Sequence, residues 1–227
     1  MSLNPAARAL SLGVLLLAGC SSLRQNRDTA IGAGTGAVLG GVIGNQVSHG
    51  TGTYLGAALG ALAGGAVGHY MDRQRHALQR QLAQEQAAQQ AAIIALADGS
   101  LRVSIAADAS FDVDSAELKP QALITYAKVA QVLKDYPKTV IWVIGHTDDT
   151  GPADYNQRLS ERRAQTVASD LIGQGVPAER IREEGRGEAG PVTDNATAAG
   201  RARNRRVDVI IRPIIAGDEA TAYRPPQ

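Results

Sequence analysis

The stretch "GHTDDTGPADYNQRLSERRA", Gly145 to Ala164, decides how the C-terminal half of this 227-residue chain is read. It begins where an apolar run, "TVIWVIGH" (139–146), ends. It then crosses a polar turn holding two aspartates, Asp148 and Asp149, and enters a segment of helical periodicity. Leu159, Arg163 and Val167 are four apart and share one helix face. Val167, Ala168, Leu171 and Ile172 continue that face with apolar side chains. Arg163 therefore stands where the inward stripe calls for an apolar residue, with Asn156 and Ser160 beside it. The polar end of this helix lies near the loop that carries Thr147, Asp148 and Asp149. Strand ends beside helix starts are common ligand sites in α/β layers. Two readings stay open at this point. Either Asp148 caps the helix or pairs with Arg163 and nothing else binds, or the two await a ligand. A guanidinium and a carboxylate together suit a zwitterion, since Arg grips a carboxylate bidentately and Asp accepts from an ammonium.

The flanking segments supply the rest of the domain. "LRVSIA" (101–106) alternates and predicts a strand. "FDVDSAELKP" leads to a helix whose start is marked by Pro120. Leu123, Ile124, Ala127, Ala130 and Leu133 form its apolar stripe, and "DYPK" ends it. "TVIWVIGH" is continuously apolar, as a strand covered on both faces is. A second helix covers about 155–174. "RIREEGRGE" reads as a short strand and "RRVDVIIRP" as a clear one, with Val207, Val209 and Ile211 on one side. The order β-α-β-α-β-β predicts an α+β fold, a mixed sheet with helices on one face, over 98–215. Residues 216–227 are left as a tail.

Composition bounds the function. The formal net charge is +1, so no basic field argues for nucleic acid. The lone cysteine, Cys20, excludes an intramolecular disulfide. Arg8 followed by "ALSLGVLLLAG" has the layout of a secretory signal over 1–19, too short to span a bilayer. It ends in "LAGC", which resembles a bacterial lipobox. That resemblance implies a lipidated Cys20 at the head of a polar spacer (20–30), and Ser21 after it implies sorting to the outer membrane, with the C-terminal domain in the periplasm.

From 31 to 71 every fourth position is small: Gly32, Gly36, Gly40, Gly44, Ser48, Gly52, Gly56, Gly60, Gly64 and Gly68. Small residues four apart let helix backbones approach closely. Nine interior glycines cost roughly 9 kcal/mol against alanine, so such a helix needs close packing or a membrane to form. Polar "NQVSHGTGT" breaks the run, which predicts a helical hairpin of about 31–45 and 53–71. The segment resembles glycine-zipper domains of bacterial envelope proteins, and self-association and membrane insertion both stay open. "DRQRHALQRQLAQEQAAQQAAIIALA" (72–97) is rich in helix formers with sparse Leu78, Leu82, Ile93 and Ile94, and reads as a solvated helical spacer.

"FDVDSAELKP", "GHTDDTGPADYNQRLSERRA" and "GRARNRRVDVII" together resemble the three motif blocks of the OmpA-like peptidoglycan-binding domain. With the lipobox and zipper, the whole chain is similar to the YiaD-type lipoproteins. The resemblance implies non-covalent binding of the diaminopimelate of the wall's stem peptide, and so a tether between outer membrane and wall. It carries over Asp148 and Arg163 as the clamp, Asp112 as a second acid, and Thr147, Asn156, Leu159 and Arg205 as residues shaping the pocket. Asp149 is read as loop chemistry. The alternative is an assembly protein in which the zipper works and the wall domain only anchors. An enzyme is disfavoured: Glu117, Glu183, Glu184 and Glu188 have no evident partners, His146 stands alone at a strand end, and no "GxSxG" or "HExxH" occurs. Nothing in these motifs calls for a metal or cofactor.

Overall fold

A computed structural model describes residues 61–227. The signal segment, Cys20, the spacer and the hairpin up to residue 60 lie outside the described residues. The sheet has five strands: β1 (Ala91–Ala95), β2 (Leu101–Ala106), β3 (Thr139–His146), β4 (Ile181–Gly185) and β5 (Arg206–Pro213), in the order β1-β2-β5-β3-β4. Only β3 and β4 are parallel, and a parallel pair needs a crossover. It is supplied by α5 (Ala153–Gly173), which leaves α1 (Val67–Gln81), α2 (Ala83–Ala87), α3 (Ala107–Ser110), α4 (Pro120–Asp135), α6 (Ala198–Asn204) and α7 (Glu219–Ala222) as the other α-helices of the described residues.

The strand period of two sorts side chains between two cores. Val103, Ile105, Ile141, Val143, Val207, Val209 and Ile211 face α1, α4 and α5. Their register agrees, with Val103 opposite Val209 and Ile141 opposite Ile211. On the other face Val140, Trp142, Ile144, Ile210 and Ile214 are covered by Ala222 of α7, with Ala61 and Tyr223 alongside. Trp142 donates its indole N–H to the Ala222 carbonyl at 3.1 Å, which pins the C-terminal tail. The mixed α+β sheet with α4 and α5 on one face agrees with the element order read from the sequence.

Three expectations are corrected. The segment 72–97 is not one solvated helix. Its end forms β1, where Ile93 pairs with Val103 and the backbone of β1 satisfies what is otherwise an open edge of β2. Nor is α1 a free spacer. Met71, Gln74, Leu78 and Leu82 are buried, and the Tyr70 hydroxyl accepts from the Lys138 N–H at 3.0 Å while its ring meets Tyr136 edge-on. A sparse stripe is enough when only one side of a helix docks. The hairpin arm expected over 53–71 is likewise not helical where it is described first. Leu62 is extended, donates to the Ile214 carbonyl at 2.7 Å and accepts from Ala216 at 2.9 Å. In α4 the inward face is Ala122, Tyr126, Val129, Ala130 and Leu133, whereas Leu123 and Ile124 point outward. The stripe is rotated because Tyr126 fills the interior fully.

The seating of α5 on the sheet is set by two glycines. A Cβ on Gly145 of β3 lies 2.1 Å from the Ser160 carbonyl oxygen, and one on Gly185 of β4 lies 2.4 Å from the Glu161 nitrogen. Both obstacles are backbone and cannot rotate away. Gly145→Ala is therefore expected to destabilise the domain by about 1–3 kcal/mol or more, as overpacking does. Gly173, at the end of α5, has open space around its Cβ position, so Gly173→Ala should be neutral or stabilising by up to about 1 kcal/mol. Urea titration of the two variants against the parent checks the contrast.

Candidate functional site

The antiparallel order brings the C-terminal ends of β2 and β3 and the N-terminal end of β5 to one pole, where Arg206 is opposite both Ala106 and His146. The loops leaving those strands, with the first half of α5, build the site.

Arg163 is buried on the inward face of α5. Its Nε donates to the Ser115 carbonyl at 2.9 Å and one terminal nitrogen to the Asp112 carbonyl at 3.4 Å, while its plane lies 5.0 Å over the Phe111 ring. The 111–119 loop is thus folded around the guanidinium. Burial pulls the pKa of Arg163 down, against the attraction of Asp108. Among the described residues no carboxylate lies within ion-pair distance of it. Carbonyl dipoles hold it, and its charge has no matching anion in contact. A buried charge without a counter-ion is costly, and here the loop carbonyls and the Phe111 ring are what offset the cost.

Asp148 does not pair with Arg163. Its Oδ2 accepts from Arg205 at 2.7 Å, and its Oδ1 accepts from the Thr150 N–H at 3.0 Å and from the Thr150 hydroxyl. Burial acts to raise the Asp148 carboxyl, yet the hydrogen bonds from Thr150 and Arg205 outweigh it and the net shift is downward. The group is ionised at neutral pH. Each carboxylate oxygen has two acceptor directions, so Oδ2 retains one beyond the Arg205 bond.

Arg205 is the bridge. It grips Asp108 with Nε at 3.0 Å and a terminal nitrogen at 2.6 Å, and gives its other terminal nitrogen to Asp148. The fork to Asp108 raises the Arg205 pKa and lowers that of Asp108. Asp108 escaped sequence reading. It lies 97 positions from Arg205, and the only local signal is an acid directly after an apolar strand.

The remaining sequence-derived residues are found around this row. Thr147 donates its hydroxyl to the Asp148 carbonyl at 2.9 Å and its N–H to the Gly187 carbonyl at 2.8 Å. Asn156 donates to the carbonyls of Asp148 and Thr150 and to Glu188 at 3.1–3.3 Å, locking the loop to α5. Leu159 is buried one turn before Arg163. Asp112 contributes its carbonyl to Arg163, while its carboxylate is mostly exposed and meets Lys119 at 3.3 Å. Asp149 is exposed. Beneath the loop sits a buried cluster in which Asp208 accepts from Arg206 at 3.0 Å and from the Ser104 hydroxyl, with His146 Nε2 3.6 Å away. His146 shares Nδ1 with the Ala189 carbonyl at 3.1 Å. Burial, then the Arg206 charge, drives its pKa down to about 4.

Comparison with known proteins covers both halves. The family profile described as "OmpA family" matches residues 110–205, and the YMGG-like Gly-zipper profile matches residues 1–72. The chain is 41% identical over 215 residues to the probable lipoprotein YiaD of Escherichia coli (strain K12), across 91% of this chain and 96% of that protein. It is 44% identical over 94 residues to the outer-membrane lipoprotein YfiB of Pseudomonas aeruginosa, across 41% of this chain and 56% of that one. Among solved structures it is similar to the cell wall anchor of the T6SS from Pseudomonas aeruginosa, with a TM-score of 0.55 and 36% identity over 60% of this chain and 96% of that chain.

The His146 shift has a stability consequence. The unfolded chain protonates this ring near pH 6.5 and the folded chain only near 4, so unfolding takes up a proton between those values. Stability therefore falls as pH drops from 6.5 to 4, by up to roughly 3 kcal/mol. His146→Asn, which keeps a donor toward Ala189, should flatten that slope while leaving stability above pH 7 nearly unchanged. Urea midpoints between pH 4 and 8 for both proteins check it.

Proposed function

The chain belongs to the OmpA family, among the glycine-zipper lipoproteins of YiaD type, and from that membership we propose a non-enzymatic envelope tether. It is anchored in the outer membrane through a lipidated Cys20 and holds peptidoglycan non-covalently through the diaminopimelate of its stem peptides. The observation that carries this reading is Arg163, a buried guanidinium cradled by carbonyls with no carboxylate in contact among the described residues. The free end of diaminopimelate bears a carboxylate and an ammonium on one carbon. The carboxylate takes Arg163, whose planar donors suit it. The ammonium takes the remaining acceptor direction of Asp148 Oδ2, beside Arg205. No bond is made or broken, and the carboxylates and guanidinia of the site keep their charges throughout.

The topology supports tethering. The chain enters the described residues at Leu62, bonded to Ile214 and Ala216 just beyond the far end of β5. Arg205 precedes the near end of that same strand. Eight residues of strand at ~3.4 Å each separate the two by roughly 25 Å. The segment that leads back toward Cys20 thus joins the domain at one pole, and the binding residues stand at the other. A domain so mounted presents its site away from the membrane.

The test is a pull-down with purified sacculi. Asp148→Ala and Arg163→Ala should each reduce retention to background while the thermal melt still shows a folded domain. Retention by both variants at the parent's level overturns the assignment. Fractionation with and without lysozyme reads out the anchor: the parent should remain with membranes after wall digestion, and Cys20→Ala should not.

A further inference from the structure

Arg205 stands between two acids, and it holds them unequally. Its Nε and one terminal nitrogen grip Asp108 at 3.0 and 2.6 Å, while a single nitrogen reaches Asp148 at 2.7 Å. Asp108 lies just outside the 110–205 stretch that the OmpA profile matches, and the binding scheme above gives it no part.

Local structure explains how Asp108 comes to hold Arg205. β2 ends at Ala106 and α3 begins at Ala107. The Ala107 N–H donates to the Arg205 carbonyl at 3.0 Å, so the turn carrying Asp108 is fastened to the backbone of the arginine it grips. Asn204, one residue earlier, is buried and accepts from the Val192 and Thr193 N–H groups at 2.9 and 3.2 Å. The backbone at Arg205 is thus fixed, and its side chain is what can change partner. The Arg205 side chain is 31% exposed and that of Asp108 59%, against 6% for Asp148. The two outer groups have room to move and the inner one does not.

Without Asp108, Arg205 keeps one carboxylate within reach, Asp148. A guanidinium has five donors and binds a carboxylate best through two of them. Oδ1 of Asp148 is taken by the N–H and hydroxyl of Thr150. A second N–H of Arg205 then has one place to go, the remaining acceptor direction of Oδ2, which is the direction assigned above to the ligand's ammonium. A tethered donor competes for it at a high effective concentration. An Arg205 stripped of its counter-ion also sets a bare positive charge beside the place where the ammonium sits, which repels it.

We propose that Asp108 is a positioning residue for the wall-binding site: its two-point grip holds the Arg205 guanidinium back from Asp148 Oδ2 and keeps that oxygen open to the ligand's ammonium. The role rests on the wall-binding reading. Asp108 does not touch the ligand and acts only through Arg205.

Calorimetric titration of the full-length chain in detergent with meso-diaminopimelic acid tests it. Asp108→Asn keeps the side chain's size and removes its charge. It should weaken binding about tenfold while the thermal melt stays close to the parent's, since an exposed ion pair contributes little to stability. Asp108→Glu should recover binding to within about threefold of the parent. Adding Arg205→Gln to Asp108→Asn should tighten binding at least threefold over Asp108→Asn alone, because no guanidinium is left to close on Asp148. An ion pair that is merely structural, or an Asp108 that contacts the ligand directly, predicts no such recovery. Asp108→Asn within twofold of the parent, Asp108→Glu as weak as Asp108→Asn, or a double variant no tighter than Asp108→Asn overturns the positioning role and leaves the wall-binding reading standing. Failure of the parent to bind meso-diaminopimelic acid overturns the wall-binding reading and the positioning role with it.

Discussion

Helix α5 rests directly on the backbone of β3 and β4, and the contact is possible only because Gly145 and Gly185 carry no side chain. This close approach controls where every residue of the first half of α5 can reach. Arg163 enters the 111–119 loop, Asn156 spans the loop after β3 and Glu188, and the Ser160 hydroxyl accepts from the Gly187 N–H at 2.8 Å. Larger side chains at either glycine lift the helix by a distance comparable to a hydrogen bond's tolerance. The domain's packing and the placing of Arg163 and Asn156 are thus one constraint seen from two sides.

On that frame the charges divide by role, and two buried arginines show how. Arg180 is fully buried and donates to the carbonyls of Leu133, Tyr136 and Thr139 and to the Thr139 hydroxyl. Its position is the C-terminal end of α4, where unpaired carbonyls and the helix dipole favour a cation. That environment explains Arg180 without a ligand. Arg163 has carbonyl partners too, but they come from an irregular loop rather than a helix end. With Arg205 close enough to oppose its charge, it sits in a field that a bound anion improves. The same residue type, both times buried, is held by a helix end in one place and by an irregular loop in the other.

How much of this was legible in the sequence follows from the range of each interaction. Arg163 could be singled out because its neighbours are four residues away on the same helix, and Asp148 because a strand end and a helix start enclose it. The alternation of Val207, Val209 and Ile211 gave the face of β5 correctly. The Arg205–Asp108 fork could not be seen, because it joins residues 97 positions apart and only the sheet order makes them neighbours. β1 was hidden for a different reason. "AAIIA" follows a run of strong helix formers, and its strand state is imposed by the open edge of β2, a tertiary effect that overrides local preference. The rotation of α4 has the same origin, since the inward direction is chosen by where Tyr126 fits and not by the most apolar stripe available.

The segment before β2 then acquires a meaning that composition concealed. Its alanine, glutamine and arginine content reads as a spacer, yet α1 docks on α4 and β1 completes the sheet. Buried polar atoms accompany that docking: Gln74 is fully covered with neither amide atom bonded, and Glu85 Oε2 is unpaired. Leaving such groups unsatisfied costs about 1–3 kcal/mol each. At Gln74 nothing in the structure explains the cost. At Glu85 the other carboxylate oxygen is held by Lys128 at 2.6 Å, which ties α2 to α4. The segment before β2 therefore does more than set a distance: it completes the sheet at its edge and packs its buried side on α4.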